Sequence, residues 1–250
     1  MQIGAQFYTI RDFCKTLDSL DESLKRVADI GYKTIQLSRV CDYDPQWMKE
    51  KLDEYGLKCV LTHTPAGRII NETARVAKEH DVFGCRCVGL GYYEFTEAPT
   101  EETVEKFVSD YSAPAKELKE RGKYFMYHNH DKEFQKVGGK PILALIAEAF
   151  PADEMGFTLD TFWVQAGGGD PADWIEKLSG RVPCIHLKDY SYGRKMAVIG
   201  EGNINFSRIF EKAESAGTEY MLVEQDDCNG EDPFDCLKRS YEYLRSRGFE

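Results

Sequence analysis

The chain has 250 residues, of which 42% are hydrophobic and 30% are charged, and its formal charge at pH 7 is −11. This length and composition are typical of one large globular domain. An acidic chain without a long Lys/Arg run repels phosphate backbones, which argues against nucleic-acid binding. No apolar stretch is long enough to cross a bilayer, and no signal-like segment opens the sequence, so we expect a cytoplasmic protein without a membrane partner.

The eight cysteines are scattered through the chain and show no repeated C-x-x-C spacing. In a chain of this length without a secretory signal, such cysteines are typical of buried free thiols. We therefore expect neither disulfides nor a zinc site built from cysteines.

The first half of the chain alternates short apolar runs with longer stretches of helical periodicity. The apolar runs predict strands over residues 3–8, 34–37, 58–62 and 85–90. Helices are predicted from a capping box at Ser19 and Glu22, from Pro45, over residues 71–80 and over residues 101–121. Pro114 predicts a kink within the last of these helices.

The second half repeats this scheme. Strands are predicted over residues 123–128, 156–160, 183–187 and 219–224, and helices over 141–150, from 171, over 205–216 and from 233. Strands separated by helices pair in parallel through crossovers. Eight such units without a linker favour an α/β fold of the (β/α)8 TIM barrel type, with residues 1–250 in a single domain. An open doubly wound sheet is the alternative, but the first turn, residues 9–16, has none of the glycines typical of that fold.

Polar side chains follow several of the predicted strands, at the end of a TIM barrel where functional residues lie. They are His63, His128, His130, Asp160, His186, Lys188, Asp189, Glu224 and Asp226. Carboxylates gathered in a small volume repel each other, and a divalent cation relieves that repulsion while binding imidazole nitrogens as well. The pattern therefore predicts a metal site made by Asp160, His186, Glu224 and one of the two histidines after the fifth strand.

The same strand ends resemble the xylose isomerase-like TIM barrel superfamily, which includes sugar phosphate isomerases and epimerases, inosose dehydratases and endonuclease-four-type repair enzymes. The segments that carry the resemblance are Thr62-His63-Thr64-Pro65, Tyr127-His128-Asn129-His130, Leu159-Asp160-Thr161-Phe162-Trp163, His186-Leu187-Lys188-Asp189, Gly200-Glu201-Gly202-Asn203-Ile204-Asn205-Phe206 and Val223-Glu224. The resemblance implies one divalent ion, Mn²⁺ or else Mg²⁺, Co²⁺ or Zn²⁺, bound by His128, Asp160, His186 and Glu224.

One position departs from the epimerases of this superfamily. Where they carry a glutamate on the fifth strand, one of two carboxylates that move the proton, this chain has His128. A symmetrical two-carboxylate mechanism is therefore disfavoured. A histidine can act as a base near neutral pH, so the predicted catalytic residues are His130 and Glu224, the latter also a metal ligand.

Four further residues are predicted to bind substrate. Trp163 stands where the repair endonucleases have a metal-binding histidine, and its indole offers an apolar wall to a sugar ring. His63 is expected to line the pocket, whereas Lys188 fits either a substrate contact or an internal salt bridge. Glu201 lies in a glycine-flanked loop and fits either a sugar hydroxyl or a helix cap, and His80 is expected on the surface.

With these residues, the resemblance implies a metal-dependent isomerase or epimerase that acts on a keto-sugar or related polyol through an enediolate. One alternative is a lyase or dehydratase on the same site, resembling inosose dehydratase or eliminating a β-substituent from a 3-keto-glycoside. Another is a non-catalytic sugar-binding barrel subunit. No glycine-rich phosphate loop stands out, so an unphosphorylated sugar is expected, and homo-oligomerisation is left open.

Overall fold

The computed structural model describes residues 1–250, and eight parallel strands close into a barrel. The strands are β1 Gln2–Gln6, β2 Thr34–Leu37, β3 Lys58–His63, β4 Cys87–Leu90, β5 Tyr124–His128, β6 Met155–Asp160, β7 Cys184–Leu187 and β8 Tyr220–Val223. Each pairs with its neighbour in sequence, and β8 pairs with β1 from Gln2 beside Tyr220 to Ala5 beside Val223. The predicted TIM barrel in a single domain is confirmed.

Helices surround the barrel. They are α1 Leu17–Ile30, α2 Pro45–Tyr55, α3 Ala66–Asn71, α4 Thr73–Val82, α5 Glu101–Glu120, α6 Ile142–Ala149, α7 Thr161–Ala166, α8 Pro171–Lys177, α9 Phe206–Ser215 and α10 Pro233–Ser246. Short 3₁₀ helices cover Phe7–Phe13 and Lys132–Phe134, and two small antiparallel ribbons lie outside the barrel. None of the helices combines the length and apolarity that a membrane crossing requires.

Two predicted helix starts are corrected. The capping box of α1 is formed by Thr16 and Ser19, because Ser19 N donates to Thr16 Oγ1 at 3.2 Å and Thr16 N donates to Ser19 Oγ at 3.0 Å. Ser19 is therefore the third residue of the helix, which closes the capping box, and not the N-cap residue that opens it. The helix predicted over residues 71–80 is the second of a pair, α3 and α4, which meet at Glu72.

The barrel interior explains how the functional side chains are positioned. Side chains alternate between the two faces of a strand, so residues two apart share a face. Met126, Cys184 and Leu222 belong to one small buried apolar cluster. Two residues further along their strands, on the same inward face, come His128, His186 and Glu224. These three predicted site residues thus lie directly above an apolar layer inside the barrel.

His80 is buried, which corrects the expectation of a surface position. It lies on the buried face of α4 with Thr73, Val76 and Ala77, at the helical spacing of three and four residues. Its Nδ1 is 2.8 Å from Val76 O, and its Nε2 is 2.8 Å from Thr62 Oγ1. Because a carbonyl only accepts, Nδ1 carries the proton and Nε2 accepts from the hydroxyl.

All eight cysteines are free, as predicted.

Replacing His80 with Gln is expected to remove part of the pH dependence of folding stability. Burial lowers the pKa of His80 to about 4 from its ordinary value of 6.5. The ring is therefore neutral in the folded state. As the pH falls from 6.5 towards 4, the imidazole binds a proton in the unfolded chain but not in the folded one, and the free energy of unfolding decreases. Between pH 7 and pH 4.5, the wild type should lose about 2 kcal/mol of unfolding free energy relative to His80→Gln. Urea denaturation of both proteins at the two pH values measures this difference, and a difference independent of pH would contradict it.

Candidate metal centre and active site

Four buried side chains meet at the carboxyl end of the barrel. His128 ends β5, Asp160 ends β6, His186 lies near the end of β7, and Glu224 follows β8 directly. One nitrogen or oxygen atom from each lies within 4.8 Å of those of the other three. The shortest separations are 2.9 Å from His186 Nδ1 to Glu224 Oε2 and 3.3 Å from His128 Nε2 to Asp160 Oδ2. We call these four residues the metal cluster, and the strand-five member is His128.

Hydrogen bonds orient both imidazoles of the metal cluster. His128 Nδ1 lies 3.1 Å from Gly91 O, and His186 Nε2 lies 2.7 Å from Gln36 Oε1. Both partners are oxygens that accept, so these ring nitrogens carry the protons. The remaining nitrogens, His128 Nε2 and His186 Nδ1, face the cluster. Outer hydrogen bonds of this kind set the tautomer of a metal-binding histidine.

The two carboxylates are oriented in the same way. Gln6 Nε2 donates to Glu224 Oε1 at 2.6 Å, and Trp163 N donates to Asp160 Oδ1 at 2.9 Å. Oxygens Glu224 Oε2 and Asp160 Oδ2 are left to face the cluster. Gln6 and Gln36 are fully buried inside strands, and sequence reasoning missed both. A glutamine within an apolar strand is the signal that could have identified them.

The donor set fits a divalent cation. His186 Nδ1 and Glu224 Oε2 are buried and make no regular hydrogen bond, although they lie 2.9 Å apart and Lys188 Nζ lies 3.0 Å from Glu224 Oε2. Buried polar atoms without partners are rare in folded proteins. Two imidazole nitrogens with two carboxylate oxygens suit first-row divalent metals. A divalent ion bound by the metal cluster would complete the interactions of both atoms.

Lys188 is also buried, and its ammonium lies among three carboxylates. Its Nζ is 3.2 Å from Asp160 Oδ2, 3.0 Å from Glu224 Oε2 and 2.9 Å from Asp226 Oδ1. Of the two roles that the sequence allows for Lys188, the structure therefore shows the internal ion pairs. Asp226 also belongs to this network of ion pairs. Its contact with Lys188 could not be predicted from the sequence, because the two residues lie 38 positions apart.

The charges shift the pKa values of these groups strongly. Burial alone would raise the pKa of Glu224, but Lys188 and His186 hold it well below its usual range. Burial likewise opposes the charge on Asp160, yet Lys188 and the neighbouring imidazoles keep its pKa well below normal. For His186, the Glu224 and Asp160 carboxylates outweigh burial and raise the pKa to about 9. A metal ion bound here would displace the His186 proton.

The formal charges favour that exchange. The carboxylates of Asp160, Glu224 and Asp226 face two cations, Lys188 and protonated His186, so one negative charge is in excess. A divalent ion in place of the His186 proton would bring this group to neutrality. The charge balance of the site and the chemistry of its donor atoms therefore both suit a divalent cation.

Replacing Lys188 with Met is expected to make the protein depend on metal for stability. The change leaves buried carboxylates without their ammonium, which costs about 3–5 kcal/mol of unfolding free energy when a buried ion pair loses one partner. Added Mn²⁺ should restore more stability to Lys188→Met than to the wild type. Thermal unfolding in EDTA and in Mn²⁺ tests this, with the exposed Lys116→Met as control. An equal loss of stability with and without Mn²⁺ would contradict the expectation.

His130 lies beside the metal cluster, although β5 ends two residues earlier. Its ring centroid is 4.7 Å from that of His128 and 5.2 Å from that of Trp163. Its Nδ1 is buried without a hydrogen-bond partner, whereas the residue as a whole is partly exposed. Burial, with repulsion from His128 and Lys188, holds the pKa of His130 well below its usual range. The ring is therefore neutral at pH 7 and able to accept a proton.

Two other predicted substrate-binding residues border the metal cluster. The His63 ring centroid lies 5.3 Å from that of His128, and its Nδ1 is 3.0 Å from Ser38 Oγ. Trp163 is half-buried, with Lys188 Nζ 5.3 Å from its ring centroid. His63 Nε2 and Trp163 Nε1 are both buried without hydrogen-bond partners.

Glu201, the last of the predicted substrate-binding residues, lies outside the metal cluster and forms a salt bridge at the surface. Its carboxylate is exposed and lies 3.0 Å from Arg239 Nε. The loop around it is held by Asp189, which accepts hydrogen bonds from Gly200 N and Gly202 N, both at 2.9 Å. The salt bridge to Arg239 accounts for Glu201 without a substrate.

Known proteins resemble the chain over most of its length. It is 23% identical to inosose dehydratase of Geobacillus kaustophilus, over 90% of this chain and 86% of that protein. A crystal structure of a sugar phosphate isomerase/epimerase from Parabacteroides distasonis superposes with a TM-score of 0.84 at 23% identity, covering 98% of this chain and 93% of the other. An L-ribulose 3-epimerase superposes with a TM-score of 0.78 at 17% identity, covering 98% and 94%.

These similarities place enzymes of two reaction classes among the relatives, epimerases and a dehydratase. The sequence profile of the xylose isomerase-like TIM barrel family matches residues 24–247, nearly the whole chain. The resemblance seen in the strand-end motifs is confirmed by this match and by the closed barrel. The chain belongs to the xylose isomerase-like TIM barrel family.

Proposed function

We propose that this protein is a divalent-metal-dependent isomerase or epimerase that removes a C–H proton next to the carbonyl of a keto-sugar or related polyol. The observation that carries the proposal is the neutral His130 imidazole beside the metal cluster. A bound divalent ion, with Mn²⁺ the first candidate, would act as a Lewis acid for the negative charge that develops on the substrate oxygens.

His130 is the better base of the two predicted catalytic residues. The Glu224 carboxylate is engaged in close ion contacts, since its Oε2 lies 3.0 Å from Lys188 Nζ and 2.9 Å from His186 Nδ1. Glu224 also accepts a hydrogen bond from Gln6 and is a member of the metal cluster. His130 is neutral and free of such commitments. We therefore assign proton abstraction to His130 Nε2 and metal binding to Glu224.

Other residues of the site suit a polyhydroxylated substrate. His63 Nε2 and Trp163 Nε1 lack partners, and sugar hydroxyls would supply them. The half-buried indole of Trp163 also offers an apolar face to a sugar ring. Lys188, already held by three carboxylates, is assigned to balance their charge and to hold them in place.

A lyase or dehydratase is the second candidate. His128 replaces the carboxylate that a two-carboxylate epimerase needs, which leaves His130 as the one base beside the metal cluster that is not already held in an ion pair. A single base favours returning the proton to a neighbouring carbon or losing a β-substituent. The similarity to inosose dehydratase supports the second outcome.

Incubation with a panel of keto-sugars in deuterated water, with and without Mn²⁺, tests both candidates. Deuterium incorporation without loss of a group supports the isomerase or epimerase, and elimination products support the lyase. No Mn²⁺-dependent exchange or elimination with any sugar would reject both and would favour a non-catalytic sugar-binding barrel.

A further inference from the structure

A cavity of about 440 Å³ opens at the same end of the barrel as the metal cluster. It is formed by the segments that follow β1 and β2, and its lining residues are Tyr8, Arg11, Lys15, Arg39, Val40 and Cys41. Three of these six side chains are cationic. In a chain with a net charge of −11, three cations around one cavity are a concentrated positive feature.

The two arginines of this cavity have no carboxylate partner. Neither Arg11 nor Arg39 lies within ion-pair distance of an Asp or Glu, and Lys15 has only the exposed Asp12 at 3.3 Å. Arg11 is held in place, since Nη1 donates to Tyr8 O at 2.7 Å and Nη2 donates to Asp226 O at 3.1 Å. Arg39 adopts a left-handed backbone conformation with φ of 57°, which is uncommon for a residue other than glycine.

A second cavity, at the opposite end of the barrel, is also lined by cations, but there each cation is paired with a carboxylate. It has a volume of about 480 Å³ and is also lined by three cations, Arg86, Lys119 and Lys123. Each of these is paired: Arg86 with Glu219 at 3.8 Å, Lys119 with Asp153 at 2.7 Å and Lys123 with Asp81 at 2.6 Å. Cations line both cavities, but only Arg11 and Arg39 are left without an anion.

Short hydrogen-bonded paths join the cavity at the barrel mouth to the metal cluster. Tyr8 N donates to Gln6 Oε1, and Gln6 Nε2 donates to Glu224 Oε1 at 2.6 Å. Ser38, the residue before Arg39, contacts His63 Nδ1 at 3.0 Å. The two segments that form the cavity are therefore directly bonded, through buried side chains, to Glu224 of the metal cluster and to His63 beside it.

We propose that this cavity binds an anionic group, a phosphate monoester or a carboxylate, carried by the sugar substrate away from its reacting carbons. The proposal rests on the proposed function and narrows its substrate class to acidic sugars. Guanidinium groups bind both anions through paired N–H donors, without a glycine-rich loop. The expectation of an unphosphorylated sugar rested on the missing loop alone, and the two arginines offer another way to bind phosphate.

Calorimetric titration of the full chain at low salt tests the proposal, with inorganic phosphate, gluconate and neutral glucitol as ligands. Each titration is run as purified and in EDTA, because phosphate can also bind a metal ion. The wild type should bind phosphate or gluconate but not glucitol, and the anion preferred identifies the group. Arg39→Gln should weaken that binding at least about tenfold, as should Arg11→Gln. Arg86→Gln, the matched change in the opposite cavity, should leave it within about twofold.

Binding of neither anion by the wild type would overturn the proposal. Anion affinity that Arg39→Gln leaves unchanged would also overturn it. So would a loss of affinity in Arg86→Gln as large as that in Arg39→Gln. Arg39 is exposed and makes no ion pair, so its replacement is not expected to disturb folding. The titration needs no turnover, and its failure is therefore distinct from the failure of Mn²⁺-dependent proton exchange, which tests the proposed function.

Discussion

Replacing Asp160 with Asn is expected to lower Mn²⁺ affinity at least about 100-fold and to abolish metal-dependent proton exchange. The Asp160 carboxylate is fully buried and faces His128, His186 and Lys188. Asn has nearly the same shape and keeps an oxygen that can accept the hydrogen bond from Trp163 N, so α7 retains its cap. The change therefore removes a negative charge from the metal cluster with little change in shape.

Calorimetry with Mn²⁺ and deuterium exchange on the best keto-sugar measure the two effects. Glu201→Gln is the control, because it also removes one carboxylate from this end of the barrel but lies in a salt bridge with Arg239. The control should match the wild type in both measurements. An Asp160→Asn protein that binds Mn²⁺ with wild-type affinity would show that this carboxylate is not a ligand.

Replacing His130 with Gln is expected to separate the chemical step from metal binding. Proton exchange should fall by about 10²- to 10⁴-fold, the usual contribution of a general base. Metal content should stay the same, because the metal cluster contains His128 and not His130. Since the pKa of His130 is held well below its usual range, the wild-type rate should stay level through neutral pH. It should fall only at a pH low enough to protonate the ring.

Elemental analysis and single-turnover exchange distinguish the possible roles of this residue. Loss of the metal in His130→Gln would make His130 a ligand and would reverse the assignment of the two histidines. Unchanged exchange would place the base elsewhere, with Glu224 the next candidate. His63→Gln is the comparison, since a residue that binds a hydroxyl should change KM more than kcat.

The barrel itself was predictable from local patterns. Strand runs ending at His128, Asp160 and Leu187 are short and apolar, and helix starts such as Asp44-Pro45 and Asp232-Pro233 follow local rules that the structure bears out. The period of two along a strand also explains why Met126 lies in the apolar interior and His128 in the metal cluster. Residues whose position depends only on their own strand were therefore placed correctly.

Residues whose position depends on partners far away in the sequence were not placed correctly from the sequence alone. Gln6 and Gln36 contact Glu224 and His186, which lie 218 and 150 residues further along the chain, and no spacing within one strand indicates such a contact. Glu201 looked free in its loop because its partner Arg239 lies 38 residues further along the chain. The helical spacing of His80 could have indicated burial, since positions 73, 76 and 77 share its face.

The ion pairs of Lys188 could not be predicted from the sequence either. The sequence places it two residues after His186 but does not show that Asp160, Glu224 and Asp226 all converge on its ammonium. Those contacts decide which carboxylates stay ionised, and hence which residue can act as a base. The proposal of His130 rather than Glu224 as the base rests on these contacts.

The central claim is that His128, Asp160, His186 and Glu224 together bind one divalent cation. Anomalous diffraction from crystals grown with Mn²⁺ tests it most directly, because the signal locates the metal itself. We predict one strong peak at the carboxyl end of the barrel, bound by these four side chains. The absence of a peak at any Mn²⁺ concentration, or a peak bound by other residues, would contradict the claim.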